Sequence, residues 1–355
     1  MPPILVDAHL DMAYNAVVVG RDLRRPLAEI RAAERETPPP EGLNETCLVS
    51  IPELLAGHIA VAGGSLFASP AWQKWQHKPH VYHNAEEAHA QGVAQLDYYR
   101  RLADEDARVQ LLHTAADLDD VLASWETPQP RLGIFVVMEG AAPIRKPSEL
   151  GWWVERGLRG VGLSWSAGTP YAGGNANPGP LTDAGRVLLH EMADHNLLLD
   201  LSHLWQTAAH EALDHYPGPL IASHANPRAF VNSPRQLSDD LIRRLAERGG
   251  VMGIVPYNRM LQPGWTSRDP RLPLSRVVEA LDYVCQLVGN ARHVGIGSDF
   301  DGGLGRESVP AEINSIADLG KLEGLLRERG YASDDITAIL SHNWLRVLRD
   351  VLSAF

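Results

Sequence analysis

Short apolar runs recur along the chain, beginning near residues 4, 57, 133, 160, 197, 219, 251 and 294, with amphipathic stretches between them. The block 197–224 sets the pattern. Leu197-Leu198-Leu199-Asp200-Leu201 and Pro219-Leu220-Ile221-Ala222 are strand-length runs, and each is followed by Ser-His: Ser202-His203 and Ser223-His224. Residues 207–215 between them read as one surface helix. Apolar run, polar tip, helix, apolar run, polar tip is the pattern of a βαβ unit in a parallel sheet. The run 133–138 is continuous and rich in β-branched residues, as for a strand covered on both faces. Eight strands with helical spacers predict an α/β fold, a (β/α)8 barrel with its site at the C-terminal strand ends.

One domain over 1–355 is expected, with surface excursions near 21–46 and 65–84. Residues 86–103 predict a helix. So does the stretch after Ser238, a natural N-cap: Asp239 and Asp240 fall in the first turn, Leu241, Ile242 and Leu245 form an inner stripe, and Gly249 is a stop. From Ser333 two helices are expected, with Ser341-His342-Asn343 between or within them. Residues 168–180 hold four glycines and three prolines and read as an irregular loop over the site.

The bulk numbers narrow the function. The net charge of -12 and a pI of about 5.6 disfavour nucleic acid and anionic membrane as partners. No apolar run reaches the ~18 residues of a membrane span, and no signal peptide is visible, so a cytoplasmic location is expected. Cys47 and Cys285, the two cysteines, form no C-x-x-C and suit a reducing compartment.

The chemistry sits at the strand tips. His9-Leu10-Asp11 follows the first apolar run, and residues two apart in extended chain point the same way. Glu139-Gly140 ends the third run, where a carboxylate is costly unless it is paired or bound to metal. His203, His224 and Asp299 end later runs. Three imidazoles and three carboxylates on one rim suit zinc better than manganese or cobalt. Six ligands exceed one open catalytic zinc but suit two ions sharing a carboxylate, about 3.5–4 Å apart, with a shared hydroxide as nucleophile. No G-x-S-x-G competes. His77, His80 and His83 lack a nearby carboxylate and read as substrate lining or a subunit contact rather than a metal patch.

The order His9-x-Asp11, Glu139-Gly140, Leu201-Ser202-His203, Ser223-His224 and Gly297-Ser298-Asp299-Phe300-Asp301-Gly302 resembles the membrane (renal) dipeptidase family, the M19 branch of the amidohydrolase superfamily. The match runs from His9 to Asn343. The resemblance implies a zinc-dependent hydrolase of dipeptides that often accepts a D-residue on the C-terminal side. It implies two Zn2+ per chain: His9, Asp11 and Asp299 on one, His203 and His224 on the other, and Glu139 bridging. Asp299 would shuttle the proton, and Arg235 matches the position that holds the substrate's terminal carboxylate. Trp165 and Tyr257 complete the expected substrate-binding set. Trp165 departs from the family, which often has a histidine there; tryptophan can stack or donate one N–H but cannot act as an acid. The resemblance is to a bacterial-type member, with a small dipeptide as partner and a homodimer left open. Two other readings compete: N-acyl-amino-acid deacylation or lactone hydrolysis on the same metals, and a non-catalytic metal-binding barrel. The second is disfavoured because all six ligand positions are filled.

Overall fold

Eight parallel strands close on themselves in the computed structural model, which describes residues 3–43, 45–72 and 80–355. They are β1 (Leu5–Leu10), β2 (Ile59–Phe67), β3 (Leu132–Glu139), β4 (Leu158–Gly162), β5 (Leu198–Asp200), β6 (Leu220–Ala222), β7 (Val251–Ile254) and β8 (Val294–Ile296). Each pairs with its neighbours in chain order, β2 with both β1 and β3, and β1 pairs with β8, which closes the ring. With helices between the strands, this is the expected (β/α)8 barrel.

Alternation along the strands separates two apolar layers. Ile134, Val136 and Met138 join the layer shared with the outer helices. Phe135 and Val137 instead pack with Val6, Ala8, Leu198, Ile221 and Val251, and with Trp344 of the C-terminal helix. By the same period of two, Glu139 lies on the inner side at the top of β3. Between Asp7 and Leu10, β1 advances three residues while β2 advances only from Ala62 to Gly64. This bulge resets the alternation where His9 sits.

Several expectations are refined. A ninth strand, Val109–Leu111, pairs with Leu132–Ile134 on the edge of β3 that β4 meets only from Val136 onward. Residues 65–67, assigned to a loop from sequence, belong to β2. The irregular loop at 168–180 is instead an antiparallel hairpin, Ala172–Gly174 with Asn177–Leu181. The excursion at 21–46 contains a helix, Leu27–Glu36, and buries Leu23, Leu27 and Ile30. Ser341-His342-Asn343 lie within one continuous helical stretch, crossing a π-type turn at Ala338–His342. Helix Asp239–Glu247 forms as read, with the Ser238 Oγ accepting from Leu241 N at 3.4 Å. Among the described residues no helix is long and apolar enough to cross a membrane.

Candidate metal centre

The strand tips bring all six sequence-selected groups together. Three overlapping sets of donor atoms lie close enough to share an ion: Glu139, His203 and His224; His9, Asp11 and Glu139; and His9, His224 and Asp299. Glu139 stands between them with its two oxygens divided. Oε1 is 3.0 Å from His203 Nε2 and 3.2 Å from His224 Nε2. Oε2 is 3.8 Å from His9 Nε2. That nitrogen is also 3.8 Å from Asp11 Oδ1 and 4.0 Å from Asp299 Oδ1.

Neighbouring side chains fix the imidazoles through their other nitrogens. His203 Nδ1 is 2.9 Å from Asn175 Oδ1 and 3.0 Å from Ser166 Oγ. The Ser223 hydroxyl is 2.7 Å from His224 Nδ1 and 3.3 Å from His9 Nδ1, and it is itself hydrogen-bonded to the Asp200 carboxylate. Asp200 Oδ1 also accepts from the backbone N–H of Ser202 and Ser223. Such partners orient an imidazole and fix its tautomer. The close approach behind Ser223 requires glycine: a Cβ on Gly297 would lie 1.7 Å from Ser223 O. A Cβ on Gly302 would meet Asp299 Oδ1 at 2.1 Å and Asp11 Oδ2 at 2.9 Å.

The side chains by themselves make a site short of positive charge. Burial holds the Asp299 carboxyl well above its usual value. Burial and the neighbouring Glu139 push Asp11 up to about 6. Burial and Arg235 bring His203 down to about 4, and burial with His9 lowers His224 as well, so both stand neutral as ligands must. Burial opposes a charged Glu139, but the neighbouring imidazoles of His203, His224 and His9 outweigh it and hold its carboxyl well below the usual value. Burial likewise opposes a charged His9, yet Glu139, Asp11 and Asp299 raise it to about 10. A divalent cation would replace that proton and relieve the carboxylate crowding.

A cavity of about 700 Å³ opens over the cluster. Asp11, Glu139, His203 and Asp299 form its floor, with His9 and His224 fully buried among them. Arg235, Trp165 and Tyr257 all line it. Arg235 Nη2 donates to His224 O at 2.6 Å, while Nη1 is buried without a partner among the described residues. The Trp165 ring lies 5.1 Å from Phe67 and 6.0 Å from His203. His80 lines the cavity, His83 is exposed, and His77 lies outside the described residues. Neither His80 nor His83 joins a metal-capable group among the described residues.

The sequence reading missed the supporting residues. Asp7 and Asp200 had a signal, since each is a carboxylate inside an apolar strand run. Asp7 Oδ1 accepts from His9 N at 3.2 Å and from Ser298 N at 2.8 Å, linking the tips of β1 and β8. Asn175 had no such signal. It reaches His203 because the hairpin docks there, with Asn175 N donating to His203 O at 2.9 Å.

A parallel barrel with imidazoles and carboxylates gathered at the C-terminal rim of its strands is the architecture of an amidohydrolase-type metallohydrolase. The model of the membrane dipeptidase family, peptidase family M19, matches residues 3–354, and the chain belongs to that family. A relative from Klebsiella pneumoniae, the uncharacterized protein in the pqqA 5′ region, is 33% identical over 203 residues, 55% of this chain and 73% of its own length. Dipeptidase aclJ of Aspergillus oryzae is 29% identical over 244 residues, 67% of this chain and 56% of that protein. Among solved structures, a metallopeptidase from Rhodobacter sphaeroides, liganded with a phosphinate mimic of L-Ala-D-Ala, superposes with a TM-score of 0.80. It is 24% identical, and the match covers 99% of this chain and 100% of that one.

Proposed function

We propose that this chain is a binuclear zinc dipeptidase that hydrolyses free dipeptides, L-Xaa-L-Xaa and L-Xaa-D-Xaa. The observation that carries the reading is the division of the Glu139 oxygens between two ligand groups, the arrangement a bridging carboxylate needs. The donors fit metal. His9 Nε2 is fully buried with no hydrogen-bond partner among the described residues, yet three carboxylate oxygens surround it at 3.8–4.0 Å. That is too far for hydrogen bonds and close enough for a shared ion. On the other side, His203 Nε2, His224 Nε2 and Glu139 Oε1 stand 3.0–3.2 Å apart. Tetrahedral zinc with bonds of about 2.0–2.1 Å sets its ligands about 3.3 Å apart, close to that spacing. His9, Asp11 and Asp299 would hold one ion, His203 and His224 the other.

A pair of divalent ions supplies an activated water at neutral pH and a positive field on a carbonyl oxygen. The chain's residues do the rest. Asp299 takes the proton from the attacking water and passes it to the leaving amine. Arg235 holds the substrate's terminal carboxylate with its free Nη1, which restricts cleavage to the bond one residue away. Tyr257 lines the cavity and narrows it around the substrate. The dipeptidase names among relatives, and the dipeptide mimic on the Rhodobacter sphaeroides protein, support this choice of substrate.

Turnover of a panel of L-L and L-D dipeptides, N-acyl-amino acids and lactones by zinc-loaded protein tests the reading. Free dipeptides should be the fastest class; faster release from acyl-amino acids would make the chain a deacylase. Trp165 we assign to an apolar wall beside the scissile bond, because it stands between Phe67 and His203. Trp165→His should therefore reorder the preferred dipeptides while leaving zinc content unchanged. An unaltered ranking would place Trp165 outside the substrate's reach.

A further inference from the structure

The His203 side of the centre is braced by Asn175 and Ser166. A different buried network braces the Asp11 and Asp299 side. Asn15 Nδ2 donates to two backbone carbonyls at once, Asp11 O at 2.9 Å and Asp301 O at 3.0 Å. One amide thus ties the tip of β1 to the turn that follows β8. Arg21 Nη1 donates to Asn15 Oδ1 at 2.7 Å, so the amide can present only its N–H face to those carbonyls. Arg21 is anchored in turn by Glu34 Oε1 at 2.6 Å and Glu45 O at 2.6 Å. Asn15 and Arg21 are 2% and 6% exposed, so water does not compete for these bonds.

The turn that Asn15 holds has an uncommon backbone. Asp299 and Asp301 both have positive φ, 56° and 65°, a region few side-chain-bearing residues adopt, aspartate among those that do. The Asp301 carboxylate is spent on that restraint. It accepts from Leu48 N at 2.8 Å and Val49 N at 3.0 Å and pairs with Arg21 at 3.7 Å. Asp301 therefore faces away from the cluster, two residues after a carboxylate that faces into it.

We propose that Asn15, locked by Arg21, is a positioning residue that sets the spacing of Asp11 and Asp299. It thereby governs the affinity of only one of the two ions, the one held by His9, Asp11 and Asp299. This inference rests on the two-ion reading above. A residue that merely stabilised the fold would weaken both ions together or neither.

Calorimetric titration of metal-free protein with zinc tests it, with circular dichroism and thermal unfolding run on the same samples. Asn15→Leu keeps the branched shape and removes both donors. It should weaken one zinc by roughly ten- to a hundred-fold, the range for lost partners of metal ligands, and leave the other unchanged. Asn175→Ala, which removes the bond to His203, should weaken one zinc likewise. The Asn15→Leu/Asn175→Ala double variant should then show two weakened ions, because the lesions lie in different subsites. A double variant that keeps one ion at native affinity would overturn the assignment, as would equal weakening of both ions in Asn15→Leu alone. Should Asn15→Leu fail to fold, Arg21→Lys serves instead: a lysine keeps the charge but not the fork, and a smaller shift at one ion only is expected. Wild-type protein that takes up fewer than two ions would sink the two-ion reading and the inference with it.

Discussion

Asp299→Asn is expected to lower kcat by about 10²–10⁴-fold, the usual contribution of a positioned general acid–base, while most of the zinc stays bound. The substitution is gentle in geometry. Asparagine tolerates the positive φ of 56° at this position, and its amide oxygen can still face a metal. What it loses is the ability to accept and return a proton. The carboxyl of Asp299 lies 4.0 Å from His9 Nε2 on the floor of the cavity, where a substrate would meet the metals. Steady-state kinetics on a free dipeptide, with elemental analysis of the same preparation, checks the expectation. Near-native turnover would reduce Asp299 to a ligand only.

Arg235→Met should lower kcat/KM for free dipeptides by about 2–5 kcal/mol, the cost of leaving a desolvated charge without its partner. Two ions and a water would attack many amides, so selection for dipeptides must come from elsewhere in the cavity. A dipeptide offers a carboxylate one residue past the scissile bond, and a guanidinium binds a carboxylate through two parallel N–H bonds. Arg235 has one N–H group spent on His224 O and another buried and unpartnered among the described residues. C-terminally amidated dipeptides never offered the charge and should lose far less. Because Arg235 also touches the backbone of His224, zinc content must be measured beside the rates. If the native enzyme cleaves free and amidated dipeptides equally well, the carboxylate anchor is wrong and the deacylase reading gains.

The barrel was legible because its strands fall on apolar runs, six of the eight ending in a polar tip. The period of two carries Glu139 to the inner face with no tertiary information. The ninth strand was not legible: Val109-Gln110-Leu111 is three residues long and pairs only because β4 leaves the lower half of β3 uncovered. The hairpin at 172–181 was hidden because glycine and proline mark a turn without saying what flanks it. The six clustered donors were legible as a set because strand ends of a barrel converge. Of the residues that orient them, Asp7 and Asp200 stand out as carboxylates inside apolar runs, but Asn15 and Asn175 do not, because their partners lie on other elements. Asn15 reaches Asp301 across 286 positions, and no local pattern announces such a bond. The bulge in β1 belongs to the same class, since it appears only when β1 is paired against β2.

Zinc titration of the metal-free protein, with dipeptide hydrolysis followed at each addition, tests the central claim most directly. Glu139 divided between two ligand groups predicts that turnover of a free dipeptide climbs to its plateau only as the second zinc per chain is taken up. Full activity at one zinc, or no release of amino acids at any zinc content, would contradict it.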